Sequence, residues 1–276
     1  MKIVSILNNN ALLVEEQKGV EFIVIGKGIG FGKKNGDLVD KSKVDKIFES
    51  NNKKTNELLD LLEYVPTEFF ESVTIIVRHA NKKLGKELNK GIYVTLTDHI
   101  HSAIERYKEG KTLNFALVSE MHQLYPNEYK VSEWAVDYLN ATYDIELPID
   151  EVGFITVHII AATMDNDNLS LVKKVTKIVK NITDIVVDHY GSDINKDSIN
   201  YTRFLTHLKF FAIRFLSKEQ FREQSDINFV INEEGLKETS LVIHKIDDFM
   251  KVSYGNELTV YEKKYLILHL LRLNIK

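Results

Sequence analysis

Three pairs of histidines recur at nearly one spacing along this chain of 276 residues. His99 and His207 are 108 positions apart, His158 and His269 are 111 apart, and His79 and His189 are 110 apart. Their surroundings repeat as well. Leu96-Thr97-Asp98-His99-Ile100 opens a segment with apolar residues at Leu96, Ile100, Ala103 and Tyr107. Tyr201-Thr202-Arg203-Phe204-Leu205-Thr206-His207-Leu208 opens one with Phe204, Leu208, Phe211 and Phe215. Both stripes have helical spacing, and each histidine sits at the stripe's edge. Glu151-Val152-Gly153-Phe154-Ile155-Thr156-Val157-His158 is echoed by Glu262-Lys263-Lys264-Tyr265-Leu266-Ile267-Leu268-His269. Conserved order and offset predict two copies of one helical domain, with histidines at set places in each.

The first ~50 residues have another texture. Lys2–Leu7, Ala11–Val14, Glu21–Ile25 and Lys43–Phe48 read as four short strands, with a turn at Gln17-Lys18-Gly19 and a glycine-dense loop at Gly26–Gly32. So small a β module buries little surface, which predicts that it pairs with a second copy of itself. Asn51–Asn56 reads as a linker and Asp165–Asn168 as the joint between the helical copies. Pro66, Pro126 and Pro148 fall near expected helix starts. The predicted architecture is multidomain: an all-β antiparallel module at 1–55, then all-α helical-bundle domains at 65–169 and 170–276.

Charge divides along the same line. Residues 1–55 hold ten Lys/Arg against seven Asp/Glu, whereas the remainder holds 26 against 33. A basic front on an acidic body suits an anionic partner at the front. The chain has no cysteine, which excludes disulfides and thiolate metal sites. It has neither an apolar run long enough for a bilayer nor a secretory-signal layout, so a cytoplasmic protein is expected.

The glycine loop fails both common nucleotide patterns. Position 31 is Phe where a dinucleotide fingerprint needs Gly, and Lys34 stands where a P-loop needs Ser or Thr. What remains is an aromatic, Phe31, among Lys27, Lys33 and Lys34, which could stack on a base and meet phosphates. Asn8 and Asn10, two apart, would point to one side of a strand and offer amides to base edges. The competing reading makes Asn8-Asn9-Asn10 a turn and Phe31 a core residue. The histidines also admit several readings: core residues, metal ligands or reversibly phosphorylated imidazoles. No H-E-x-x-H pattern is present, and His99 and His101 diverge on a helix. Repetition favours a shared role, and phosphorylation of an imidazole at a domain interface could switch that interface.

Met1-Lys2-Ile3, Asn8-Asn9-Asn10, Gly26-Lys27-Gly28-Ile29-Gly30-Phe31-Gly32-Lys33-Lys34, Asp40 and Lys43–Phe48 resemble the RNA-binding module of the BglG/SacY family of transcription antiterminators. The segments around His99 and His207 resemble the histidine segments of that family's two PTS-regulation domains, and the likeness is greatest to the β-glucoside, LicT-type branch. The resemblance implies a homodimer that binds a leader-RNA hairpin, blocks an overlapping terminator and so lets a sugar-utilisation operon be transcribed. It implies RNA contacts at Asn8, Asn10, Gly26, Lys27 and Phe31, although the family often has arginine at the position of Lys27. It implies phosphorylation of His99 and His158 by a sugar-specific PTS permease, which silences the protein, and of His207 and His269 by the phosphocarrier HPr, which activates it. His79 and His189 are expected to be structural, and His101 is given no role. No cofactor, metal or catalytic residue is expected. A DNA-binding activator with the same regulatory domains is the alternative, disfavoured by a β-rich front without a helix-turn-helix. An enzyme ranks last.

Overall fold

The computed structural model describes the chain except residues 17–19, 27, 50–60, 62–63, 165–168, 192–193, 221–232 and 274–276. The expected turn at Gln17-Lys18-Gly19, the linker Asn51–Asn56 and the joint Asp165–Asn168 fall outside the described residues.

β1 (Lys2–Asn8), β2 (Ala11–Glu16), β3 (Val20–Ile25) and β4 (Lys46–Glu49) form an antiparallel sheet in the order β1-β2-β3-β4. Period-two alternation sets the face: Leu12, Val14 and Val24 bury with Ile3, Ile29 and Val39, while Leu12 pairs Val24 across the β2–β3 ladder. Each such side chain contributes roughly 1.5–3 kcal/mol. Ile29 drops into this core from the glycine-dense loop, so the loop is anchored from beneath. The last strand starts later than the sequence suggests. Asp40 accepts a bond from the Ser42 N–H and caps a single 3-10 turn at Lys41–Lys43, so pairing begins only at Lys46.

The rest is helical: α1 (Thr67–Leu84), α2 (Ile92–Lys108), α3 (Val118–Leu124), α4 (Pro126–Tyr143), α5 (Ile149–Ala162), α6 (Leu169–Tyr190), α7 (Ile199–Leu216), α8 (Glu233–Tyr254) and α9 (Val260–Leu271). The stripe Phe69, Phe70, Val73, Ile76, Val77 and Ala80 is buried on α1, as are Phe204, Leu208, Phe211 and Phe215 on α7. Pro66 and Pro148 directly precede α1 and α5, and Pro126 opens α4. Gly85 closes α1 at φ +67°, returning its N–H to the Asn81 carbonyl. Ser198 and Thr259 cap α7 and α9 through their hydroxyls.

The chain forms two compact units. One holds residues 1–115 and 127–168, and the other holds 116–126 and 169–276. Within the first, α2 packs on α5; within the second, α7 packs on α9, and α3 joins α6 and α7. Glu120 of α3 is tied there by an ion pair to Lys180 at 3.3 Å.

Candidate functional site

In the β module, the Asn8–Asn10 turn and the glycine loop form one bonded assembly. Gly26 N–H donates to the Asn10 carbonyl and Gly30 N–H to the Asn9 carbonyl, each at 2.9 Å. The Asn10 side-chain oxygen accepts from Gly28 N–H at 2.6 Å, and the Asn8 side-chain oxygen accepts from Asn10 N–H at 2.8 Å. The two asparagines are therefore not paired on one strand face. Asn8 ends β1 and Asn10 sits in the turn, only 6 % exposed. Gly26 is required by close approach: a Cβ there would lie 1.7 Å from the Lys43 carbonyl oxygen. Gly28 and Gly32 take φ of +62° and +70°, which turns the loop outward. At its tip Phe31 is 76 % exposed, so the core alternative for this residue is set aside. An aromatic held in water, followed in the chain by Lys33 and Lys34, has the chemistry to stack on a base and draw a phosphate. Lys27 lies outside the described residues.

Each helical unit brings its two long-spaced histidines together. His99 on α2 and His158 on α5 have ring centroids 4.9 Å apart, while His207 on α7 and His269 on α9 stack at 3.7 Å. Beside each pair stands a buried carboxylate with an arginine, and these four residues were not picked out from the sequence. Glu151 meets Arg106 at 3.2 Å, and Glu262 takes Arg214 through both oxygens at 2.9 Å. The signal was present: Arg106 and Arg214 are 108 apart and Glu151 and Glu262 are 111 apart, the histidine offsets themselves.

The two copies differ in how the carboxylate is used. Glu151 is shared, with its second oxygen 2.9 Å from His99 Nε2. In the second unit the bidentate arginine occupies Glu262, and His207 Nδ1 turns instead to the Tyr265 hydroxyl at 2.6 Å. Phe154 is the counterpart of Tyr265 and has no hydroxyl to offer. Burial, with Arg272, Arg214 and Arg203 nearby, holds the His207 pKa below its ordinary value. Burial, the His207 ring and Arg272 push that of His269 down to about 4. Both are therefore neutral, nucleophilic imidazoles at pH 7.

This has a consequence for stability. His269 is 5 % exposed, and its folded-state pKa of about 4 lies below the unfolded ~6.5. The unfolded chain thus takes up the proton first as pH falls. Stability is complete above pH ~6.5 and is lost through the window down to ~4, by about 2–3 kcal/mol. Urea unfolding of the second unit, followed by amide exchange in α9 at pH ~7.5 and ~5, should show this loss, and His269→Gln should flatten it.

The other histidines are placed differently. His79 stacks on Trp134 at 3.6 Å, whereas His189 lies 3.4 Å from the Lys245 ammonium, so their shared offset does not build a shared site. His101 packs edge-on against Phe69. Among the described residues no group of three or more His, Asp or Glu is arranged to hold a metal, and no helix is long and apolar enough to cross a membrane.

Comparison with known proteins identifies both kinds of domain in the first part of the chain. Residues 1–57 match the family model of the CAT RNA binding domain, and residues 74–162 match that of the PRD domain. The transcription antiterminator LicT of Bacillus subtilis is 36% identical over 273 residues, 99% of this chain and 98% of the relative. A β-glucoside operon antiterminator of Dickeya chrysanthemi is 35% identical over 277 residues, 99% of this chain and 96% of the relative. The crystal structure of GlcT CAT-PRDI is 34% identical with a TM-score of 0.55, and the match covers 59% of this chain and 98% of that one. With a β module and paired-histidine helical units in the same order, this chain belongs to the BglG/SacY family of RNA-binding, PTS-regulated transcription antiterminators.

Proposed function

We propose that the chain is a cytoplasmic, homodimeric regulator rather than an enzyme, and that it binds a leader-RNA hairpin to prevent terminator formation in a β-glucoside utilisation operon. Asn8, Asn10, Gly26, Lys27 and Phe31 form the RNA face. The helical domains, 65–169 and 170–276, are both PTS-regulation domains. A sugar-specific permease phosphorylates His99 and His158, and HPr phosphorylates His207 and His269. The β-glucoside assignment follows the name of the Dickeya chrysanthemi relative.

One observation carries the regulatory half of this reading: the twice-built histidine pair with unequal carboxylate pairing. A phosphoryl group on His99 would face Glu151, whose oxygen already lies 2.9 Å away, and like charges would force the site open. On His207 the same group would meet Arg203 and Arg272, while Glu262 is already neutralised by Arg214. One modification therefore disrupts its domain and the other is accommodated, which supports opposite signs for the two inputs. A coupling of about 1–3 kcal/mol suffices to switch occupancy.

The test is readthrough of a terminator-blocked reporter in cells. His207→Asp and His269→Asp should each raise readthrough about tenfold without the phosphocarrier, and His99→Asp should lower it by a similar factor. Unchanged readthrough in all three would refute phosphorylation control.

A further inference from the structure

The side-chain amide of Asn10 is committed at both ends. Its oxygen accepts from Gly28 N–H at 2.6 Å, and its nitrogen donates to Glu71 Oε1 of α1 at 2.6 Å. The second bond comes from the helical domain, 61 positions along the chain. It is not isolated. Arg78, two turns further along α1, pairs with Asp45 at 3.0 Å. Lys46 of β4 pairs with Glu87 at 3.3 Å, and Lys90 donates to the Ile47 carbonyl at 2.9 Å. Between these links lies a cavity of about 80 Å³, lined by Asn10, Gly26, Phe70, Glu71 and Arg78 among others. The helix thus covers two of the five proposed RNA contacts and leaves Phe31 in water.

We infer that Glu71 is an intrachain stand-in for an RNA acceptor: it masks the Asn10 amide, so that α1 must leave the β module before the hairpin can bind. This rests on Asn10 being an RNA contact. The chemistry is specific. A carboxylate offers only acceptors, so it satisfies the amide donor that a base edge or ribose oxygen would otherwise take. It also sets a negative charge where a phosphate backbone must approach, so masked and RNA-bound forms exclude each other. A charged acceptor on a neutral amide is a strong but breakable lock. The other polar links are exposed ion pairs and a Lys–carbonyl bond, each worth little alone, beside one edge-on ring contact of Phe48 with Tyr93 at 6.1 Å, so the interface can open without loss of either fold.

The full-length chain should be titrated with a leader hairpin of the proposed target class at fixed salt, as wild type, Glu71→Ala, Arg78→Ala, Glu68→Ala and Asn10→Ala. Glu71→Ala should tighten binding about tenfold, equivalent to about 1.4 kcal/mol. Arg78→Ala should tighten it less. Glu68 is exposed on the same helix, so Glu68→Ala controls for charge alone and should change nothing. Unchanged or weaker binding by Glu71→Ala, with amide exchange in β2 and β3 intact, overturns the mask. An equal gain from Glu68→Ala also overturns it, because general repulsion would then be the cause. Asn10→Ala separates the two readings. If it binds as well as wild type, the RNA role of Asn10 fails and the mask falls with it. If it loses binding while Glu71→Ala gains nothing, only the mask fails.

Discussion

Replacing Arg214 with leucine should destabilise the second helical unit by about 3–5 kcal/mol, the cost of leaving one partner of a buried ion pair alone. Glu262 is fully buried, and both its oxygens rest on the Arg214 guanidinium at 2.9 Å. Without that fork the carboxylate must either stay charged in a low-dielectric pocket or take up a proton. Arg214 also lies 4.9 Å from the Tyr265 ring centre, so its loss should loosen the hydroxyl that holds His207. Arg214→Leu combined with Glu262→Leu should recover most of the loss, because two apolar groups replace two charges together. Urea unfolding of the single and double variants measures the coupling. Arg106→Leu in the first unit should cost less, since Glu151 keeps its contact with His99 at 2.9 Å. A double variant no more stable than Arg214→Leu alone would mean that the pair is not the source of the loss.

How much of this was legible in sequence varied with the range of the interaction. The stripes on α1 and α7 were readable because burial at helical spacing is a local pattern, and Phe69 to Ala80 and Phe204 to Phe215 are buried where that pattern puts them. The offset between histidine segments also survived, because a duplicated domain keeps its internal spacing. Arg214 meeting Glu262 across 48 positions is a different matter. Nothing local marks a charged residue near a stripe as buried, and only its shared offset with Arg106 could have drawn attention to it. The Asn8–Asn10 segment admitted two readings, a strand face and a turn, and the structure shows the turn, because asparagine side chains close turns onto neighbouring N–H groups as readily as they extend from strands. β4 began late because Asp40 and Ser42 make a local cap that competes with strand pairing. The Glu71 contact on Asn10 depends on where a helix docks on a sheet, which no window of sequence contains.

Gly26→Ala should abolish hairpin binding, and it should do so by distorting the β module rather than by removing a contact. Gly26 is threaded between two backbones. Its N–H is bonded to the Asn10 carbonyl on one side, and on the other a Cβ would lie 1.7 Å from the Lys43 oxygen and 2.8 Å from its carbonyl carbon. Backbone cannot step aside as a side-chain tip can. To admit a methyl group the Lys43–Asp45 segment must move away, and the bond from Asp45 N–H to the Ile25 carbonyl at 2.8 Å is then lost. The expected cost is about 3 kcal/mol, the upper range for overpacking, on a module with little stability to spare. Hairpin affinity should fall by more than about 100-fold. Phe31→Ala provides the contrast. Its ring is in solvent, so the fold should be untouched while binding loses about 1–3 kcal/mol of stacking. Amide exchange in β2 and β3 of the full chain separates the two variants: fast in Gly26→Ala, native in Phe31→Ala. Native exchange with lost binding in Gly26→Ala would instead mean that the added methyl group blocks the RNA itself, which then lies too close to the backbone at this contact for any side chain.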